Sequence, residues 1–163
     1  MREMIERFFA DYAFFILFFH VLGAIIWVGG MIAIRVAVHP GLQHIEDSKT
    51  RLARTLEITQ RLFNLVLPFI VILLLTGVVM AMGMGFKGTP MNGFVHIKEA
   101  VWTVMTINYA WMVLKRNRAQ RLFLSGDLAG AKEALSPIPN VMLPINVMLG
   151  IVALALGIAL RGF

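Results

Sequence analysis

Four stretches without a charged residue divide the chain and set its expected architecture. Residues 12–34 and 62–86 contain no Asp, Glu, Lys or Arg, and the same holds for residues 100–114 and 135–160. Because a helix needs roughly 20 apolar residues to cross the hydrocarbon core of a bilayer, we extend the short third stretch back to residue 94. The pattern then predicts four transmembrane helices, at about residues 12–34, 62–84, 94–114 and 138–160.

The composition agrees with a membrane-embedded chain. Of the 163 residues, 59% are hydrophobic and 15% are charged, and the mean hydropathy is +0.80. A soluble domain of this size is far less apolar. We therefore expect an all-α fold, an integral membrane four-helix bundle that forms a single domain over residues 1–163. Four helices alone would leave much of any bound cofactor uncovered, so we also expect a homo-oligomer whose subunit interface covers it. The outer surface of the bundle would contact membrane lipid.

The basic residues lie beside alternate ends of the predicted spans. The link between the first two spans and the link between the last two hold ten of the 15 Lys and Arg residues. The positive-inside rule places these links in the cytoplasm and both termini outside it, on the periplasmic side of a cell inner membrane. The net charge of +6 is explained by basic residues that lie beside the spans and contact lipid headgroups. We therefore expect no nucleic-acid partner. Ser48 is the predicted N-cap of the helix that leads into the second span.

The chain contains no cysteine. This excludes disulfides, iron–sulfur clusters, thiolate copper sites and covalently attached c-type heme. Any metal chemistry must therefore use histidine, methionine or carboxylate ligands.

His20 lies inside the first predicted span, where an ionisable side chain is costly unless it has a partner. One interpretation is a metal, such as the iron of a heme b, and the alternative is a hydrogen bond to a neighbouring helix. Three further residues share its helix face: Gly23, Trp27 and Gly30. They would form a cofactor-binding face, with the glycines leaving room for a flat macrocycle and Trp27 packing on it. A seam of small residues between two helices would produce the same pattern.

The start of the third predicted span supplies the other polar candidates. His96 would be the second iron ligand, giving bis-His ligation between the first and third helices; the alternative is a histidine at the membrane surface. Lys98 would bind an anionic group such as a tetrapyrrole carboxylate, and the alternative is an interfacial ion pair with Glu99. Arg35, at the far end of the first span, is a second candidate for contact with substrate.

A Met-x-Met-x-Met run at the end of the second span suggests a different metal. Its residues are Met80, Met82 and Met84. Thioether sulfur is a soft ligand that suits Cu(I), so a copper-handling protein is the alternative to a heme protein. Apolar filling by flexible methionine side chains is the simpler interpretation.

Several short motifs resemble one membrane-protein superfamily. They are His20, Trp27, Gly29, Gly30, Arg35 and His39 in the first span, Arg61-Leu62-Phe63, Pro68 and Gly77 in the second, His96-x-Lys98, and the terminal Arg161-Gly162-Phe163. This set is similar to the HemJ-type protoporphyrinogen oxidases and to the related copper-resistance D (CopD) membrane domain. The chain departs from the HemJ pattern at Ile34, where a proline is expected, and at Val38, where an aromatic residue is expected.

The resemblance implies four transmembrane helices, with His20 as a heme b ligand and Lys98 as a functional lysine. It also implies an oxidoreductase that removes electrons from protoporphyrinogen IX and passes them onward in the membrane, to a quinone or another carrier. We therefore expect a heme b-binding membrane redox protein, with CopD-like copper transport or copper handling as the alternative.

Overall fold

The computed structural model describes residues 2–86 and 88–160, and at Arg2 it describes the backbone alone. Met1, Lys87 and residues 161–163, which include the terminal motif cited for the family resemblance, lie outside the described residues. Within the described ranges the chain is helical and contains no strand. The expectation of an all-α fold is confirmed.

Seven α-helices are present in the described ranges. They are α1 (Arg2–Ala24), α2 (Gly30–Ala33), α3 (His39–Leu42), α4 (Ser48–Gly83), α5 (Asn92–Leu124), α6 (Leu128–Leu135) and α7 (Leu143–Ala159). In the described ranges, two π-helical segments join the first three helices: Ile25–Gly29 lies between α1 and α2, and Ile34–Val38 lies between α2 and α3. A third π-helical segment, Ile138–Met142, leads into α7. The first two segments join α1 to α3 without a break, and we call Arg2–Leu42 the first rod, although its backbone angles are non-helical at Tyr12.

Among the described residues, three helical segments are long and apolar enough to cross a membrane: Glu3–Leu42, Ser48–Gly83 and Leu128–Ala159. They include the whole first predicted span and all but the last residue of the second and fourth, so the chain is compatible with a multi-pass membrane protein. The third predicted span lies inside α5, which is long but is not among these apolar segments. Lys98 and Glu99 in its first turns, and Asn108 near its middle, lower its hydropathy.

The long helices pack against one another in a fixed order. α1 lies mainly on α4, α4 contacts α5, and α5 packs on both α6 and α7. α7 also contacts α2 and the π-helical segment Ile25–Gly29. Gly150 allows this last approach, because a Cβ atom at that position would lie only 2.5 Å from Cγ2 of Val28.

Hydrogen bonds from polar side chains connect α5 to its neighbouring helices. The Asn108 Nδ2 group donates to Oδ1 of Asn146 (2.7 Å) and to the Met142 carbonyl (2.8 Å). Asn146 is fully buried and donates in turn to the Met105 carbonyl at 3.2 Å. The Tyr109 hydroxyl donates to a carbonyl of α4, that of Phe63, at 2.8 Å. Buried polar groups need such partners, so these bonds fix the register of α5 against α4 and α7.

Aspartates cap the starts of α4 and α6. At α4 the cap is Asp47, whose carboxylate accepts from the Thr50 backbone N–H at 2.8 Å. The prediction of Ser48 at this position is therefore wrong by one residue, and Ser48 is the first residue of the helix. At α6, Asp127 accepts from the backbone N–H of Gly130 at 2.8 Å.

Candidate functional site

His20 contacts α4 through a hydrogen bond with Thr76. The Nδ1 atom of its imidazole lies 2.8 Å from Oγ1 of Thr76. The Thr76 hydroxyl itself donates to the Ile72 carbonyl at 2.6 Å, as threonines in helices commonly do. Because that bond uses the hydroxyl hydrogen, Thr76 acts as the acceptor for Nδ1–H. The arrangement favours the tautomer in which Nε2 carries a lone pair.

α4 has a glycine, and therefore no side chain, next to the His20 ring. Gly77 follows Thr76, and a Cβ atom at Gly77 would lie 3.6 Å from Cε1 of the imidazole. His20 is half-buried, so its ring is partly covered by helices and partly open at the surface of the helical array.

Lys98 belongs to the same level of the structure. Its side chain is half-buried, and it acts electrostatically on His20. Its Nζ atom lies against α7, 3.1 Å from the place where a Cβ atom of Gly157 would stand. Residues of α1 and α4 thus contact each other at His20 and Thr76, and residues of α5 and α7 contact each other at Lys98 and Gly157. We call His20, Thr76, Lys98 and Gly157 the His20–Lys98 layer.

His96 has its contacts elsewhere. Its Nδ1 atom lies 3.0 Å from a carboxylate oxygen of Glu99, and its Nε2 atom lies 3.2 Å from Nδ2 of Asn92. Both partners are on α5, the helix that carries His96. The side chain is 66% exposed, which matches the surface alternative given for this residue.

The glycine face of the first rod contacts α4. A Cβ atom at Gly23 would lie 3.0 Å from Cγ of Leu73, and one at Gly30 would lie 2.9 Å from Cδ1 of Leu62. These contacts match the helix–helix seam that was the alternative for the two glycines. Trp27, on the same face, is 1% exposed within the apolar core. Its indole N–H has no hydrogen-bond partner among the described residues, and the same is true of Trp102.

Arg35 lies far from the layer. It is fifteen residues beyond His20 on the same rod, a separation of about 22 Å at the helical rise of 1.5 Å per residue. It is half-buried in the π-helical segment Ile34–Val38 and acts electrostatically on His39. Lys98 and Arg35 are therefore at different depths, too far apart for one small substrate group.

The methionines that suggested copper do not share one helix face. Met80 and Met82 lie in α4, and Met84 is the C-terminal cap of that helix. Residues two apart on a helix point in nearly opposite directions, whereas residues four apart point the same way. Met82 is consequently separated from the other two, and it is one of the exposed apolar side chains.

Thr76, Gly77 and Gly157 were absent from the residues predicted for the site. The sequence does contain a signal for Thr76, which carries the sole hydroxyl group in residues 62–86. Gly77 is among the motif residues of the family resemblance, but that motif does not assign it to the site, and Gly157 has no sequence signal. Their role depends on which side chains the folded chain places opposite them.

The donor set of the layer suits one coordination position of a heme iron. A histidine ligand normally donates its second ring N–H to a hydrogen-bond acceptor, which leaves the other nitrogen for the metal, and the His20–Thr76 pair has this form. Gly77 leaves the ring edge uncrowded. Within the described ranges, no group of three or more His, Cys, Asp or Glu side chains could hold a metal ion.

Comparison of the chain with protein-family models, with curated proteins and with solved structures gave no match. The resemblance to the HemJ and CopD proteins consequently depends on the short motifs alone.

Proposed function

We propose that the protein is a heme b-binding membrane redox protein of the HemJ type. The observation that carries the proposal is the His20–Thr76 hydrogen bond, which would leave Nε2 of His20 to hold the heme iron. Heme, when bound there, would supply one-electron transfer. His96 is the proposed second ligand, and reaching the iron would require its exposed ring to leave Glu99 and Asn92.

Lys98 would bind substrate, and apolar side chains near His20 would exclude water. The Lys98 ammonium would neutralise a carboxylate of a tetrapyrrole such as protoporphyrinogen IX, or meet the oxygen of a quinone. Gly157 leaves room for the end of this side chain against α7. Exposed phenylalanines of α1 near His20, among them Phe18 and Phe19, would keep the surroundings apolar.

For the architecture, we propose a four-helix transmembrane bundle in the cell inner membrane with both termini on the periplasmic side. The contacts of α1 with α4, α4 with α5, α5 with α7, and α7 with the first rod support the bundle. The concentration of Lys and Arg in two of the links supports the orientation. A homo-oligomer would cover the aromatic surface of α1 and the open side of the His20 ring.

The proposal is tested by visible spectroscopy of the purified full-length protein. We would record oxidised and dithionite-reduced spectra of the wild type and of the His20→Ala and His96→Ala variants, with metal analysis of each sample. His44→Ala is the matched control, because His44 is an exposed histidine at the end of the first rod. We expect a Soret band and reduced α/β bands in the wild type and in the control.

Loss of these bands in His20→Ala would support ligation by His20. Retention in His96→Ala would assign the second position to another group, whereas loss there would support bis-His ligation. A colourless wild-type protein that contains copper would overturn the heme proposal and direct attention to Met80 and Met84. A protein with neither metal would overturn it as well.

A further inference from the structure

A groove of about 430 Å³ lies between α4 and α5, away from the His20–Lys98 layer. Arginine and glutamine side chains from both helices line it: Gln60 and Arg61 from α4, and Arg116 and Gln120 from α5. Its volume is in the range of small-molecule sites. The groove therefore has room for a polar group, and its walls present guanidinium and amide N–H donors.

Arg116 is held in place by its neighbours. Its Nη2 atom donates to Oε1 of Gln120 at 3.1 Å and to the Leu56 carbonyl at 3.3 Å, and Nε lies 3.4 Å from the same carbonyl. The side chain is half-buried. A guanidinium fixed in this way loses little conformational freedom when it binds an anion.

The charges at the groove favour an anionic ligand. Glu57, which also lines the groove, accepts from Arg54 at 2.9 Å and from Arg61 at 2.7 Å. Together with Arg116 this cluster contains three cations and one anion. Two positive charges are left in excess, enough to attract one phosphodiester.

The depth of the groove matches the headgroup region of a bilayer. Arg61 immediately precedes the second predicted span, and Arg116 lies two residues after the end of the third. The headgroup layer covers about 5–7 Å beyond the hydrocarbon core on each side. Leu65 lies one turn further along the face of α4 that carries Arg61 and is 53% exposed, so an apolar surface adjoins the charged one.

We propose that this groove binds the phosphodiester headgroup of an anionic phospholipid, with Arg61 and Arg116 as the phosphate ligands and the acyl chains lying on the exposed surface of α4. Basic pockets between transmembrane helices on the cytoplasmic side are a known way to recognise such headgroups. The proposal does not depend on heme binding, because it uses none of the residues of the His20–Lys98 layer.

Native mass spectrometry of the full chain in detergent micelles tests the proposal. Titration with phosphatidylglycerol and with phosphatidylcholine of the same acyl chains should give tighter binding of the anionic lipid. Arg61→Gln and Arg116→Gln should each weaken phosphatidylglycerol binding about five-fold, the effect of one cation near a membrane surface. Arg118→Gln is the matched control, because Arg118 is an exposed arginine on α5 that does not line the groove.

Equal weakening in all three variants would overturn the proposal, because it would reflect general attraction to a basic surface. Displacement of phosphatidylglycerol by excess inorganic phosphate would also overturn it, since it would identify a site for soluble anions. Arg61 is 78% exposed, so its replacement leaves the packing of the helices intact. The Arg61→Gln variant therefore tests the proposal even where Arg116→Gln disrupts the packing around the groove.

Discussion

The Nδ1 atom of His20 lies 2.8 Å from Oγ1 of Thr76, and the two residues belong to different helices, α1 and α4. The hydroxyl hydrogen of Thr76 is already used by the Ile72 carbonyl at 2.6 Å. A short hydrogen bond between apolar segments thus sets the tautomer of the one histidine in the first predicted span.

Thr76→Val is expected to weaken cofactor retention without unfolding the protein. The change keeps the shape of the side chain and removes the acceptor for Nδ1–H. Loss of a hydrogen-bond partner of a metal-ligating histidine typically costs ten- to a hundredfold in affinity. Heme content per protein after purification, followed by titration with hemin, measures the effect.

Thr103→Val is the matched control for this experiment. Thr103 is exposed on α5, and its hydroxyl donates to the Glu99 carbonyl in the same way that Thr76 donates within α4. Equal heme content in Thr76→Val and wild type would show that the hydroxyl does not position the ligand.

Lys98→Met is expected to reduce the binding of anionic tetrapyrroles while a neutral quinone analogue binds as before. The methionine fills a similar volume but carries no charge. Titration with protoporphyrin IX, followed by quenching of tryptophan fluorescence, measures the first effect. We expect a loss of about tenfold or less, since a half-exposed cation interacts modestly with a carboxylate.

Gly157→Val provides an independent test of the same site. A side chain at Gly157 would crowd Nζ of Lys98, whose distance to the Cβ position is already 3.1 Å. The valine variant should therefore share the tetrapyrrole defect of Lys98→Met. Normal protoporphyrin affinity in both variants would show that Lys98 does not bind the tetrapyrrole.

The sequence predicts the apolar segments well because hydropathy depends on local composition alone. The residues of the site are harder to predict, because their partners come from other helices. His20 is evident as a polar residue in an apolar run, yet nothing local pairs it with Thr76, 56 residues away. His96 illustrates the converse, since its nearest partners are one turn away on its own helix. Periodicity assigns a residue to a helix face but does not identify the helix opposite.

Gly150→Leu is expected to destabilise the contact between the first rod and α7. The Cβ position of Gly150 lies 2.5 Å from Cγ2 of Val28, so a larger side chain forces the helices apart. Overpacking of this kind costs about 1–3 kcal/mol. Unfolding in SDS, followed by circular dichroism, measures the change. Gly29→Leu is the matched control, because no described atom lies within 4 Å of its Cβ position outside its own helix. Equal destabilisation by both variants would contradict a specific close approach at Gly150.

Acidification is expected to loosen the start of α4. The hydroxyl and backbone N–H of Thr50 both donate to Asp47 and hold the pKa of its carboxyl below the usual value. A group whose pKa is lowered on folding stabilises the folded state above its unfolded pKa of about 3.9, and this stabilisation is lost as the pH falls through the folded pKa. The exchange rate of the Thr50 amide, divided by its intrinsic rate at the same pH, should therefore rise below about pH 4. An Asp47→Asn variant should show no such rise, and the same pH dependence in that variant would exclude Asp47 as its cause.

Asn146→Ala is expected to destabilise the packing of α5 on α7. Asn146 is fully buried, accepts from Asn108 at 2.7 Å and donates to the Met105 carbonyl at 3.2 Å. Its removal leaves an amide hydrogen and a carbonyl without their partners and opens a cavity, which together cost about 1–2 kcal/mol in a membrane-embedded helix pair. Asn140→Ala is the matched control, since Asn140 is exposed and bonds only to Ser136 within the described residues. A double-mutant cycle with Asn108→Ala isolates the pair, and a coupling energy near zero would mean that the two amides stabilise the helices independently.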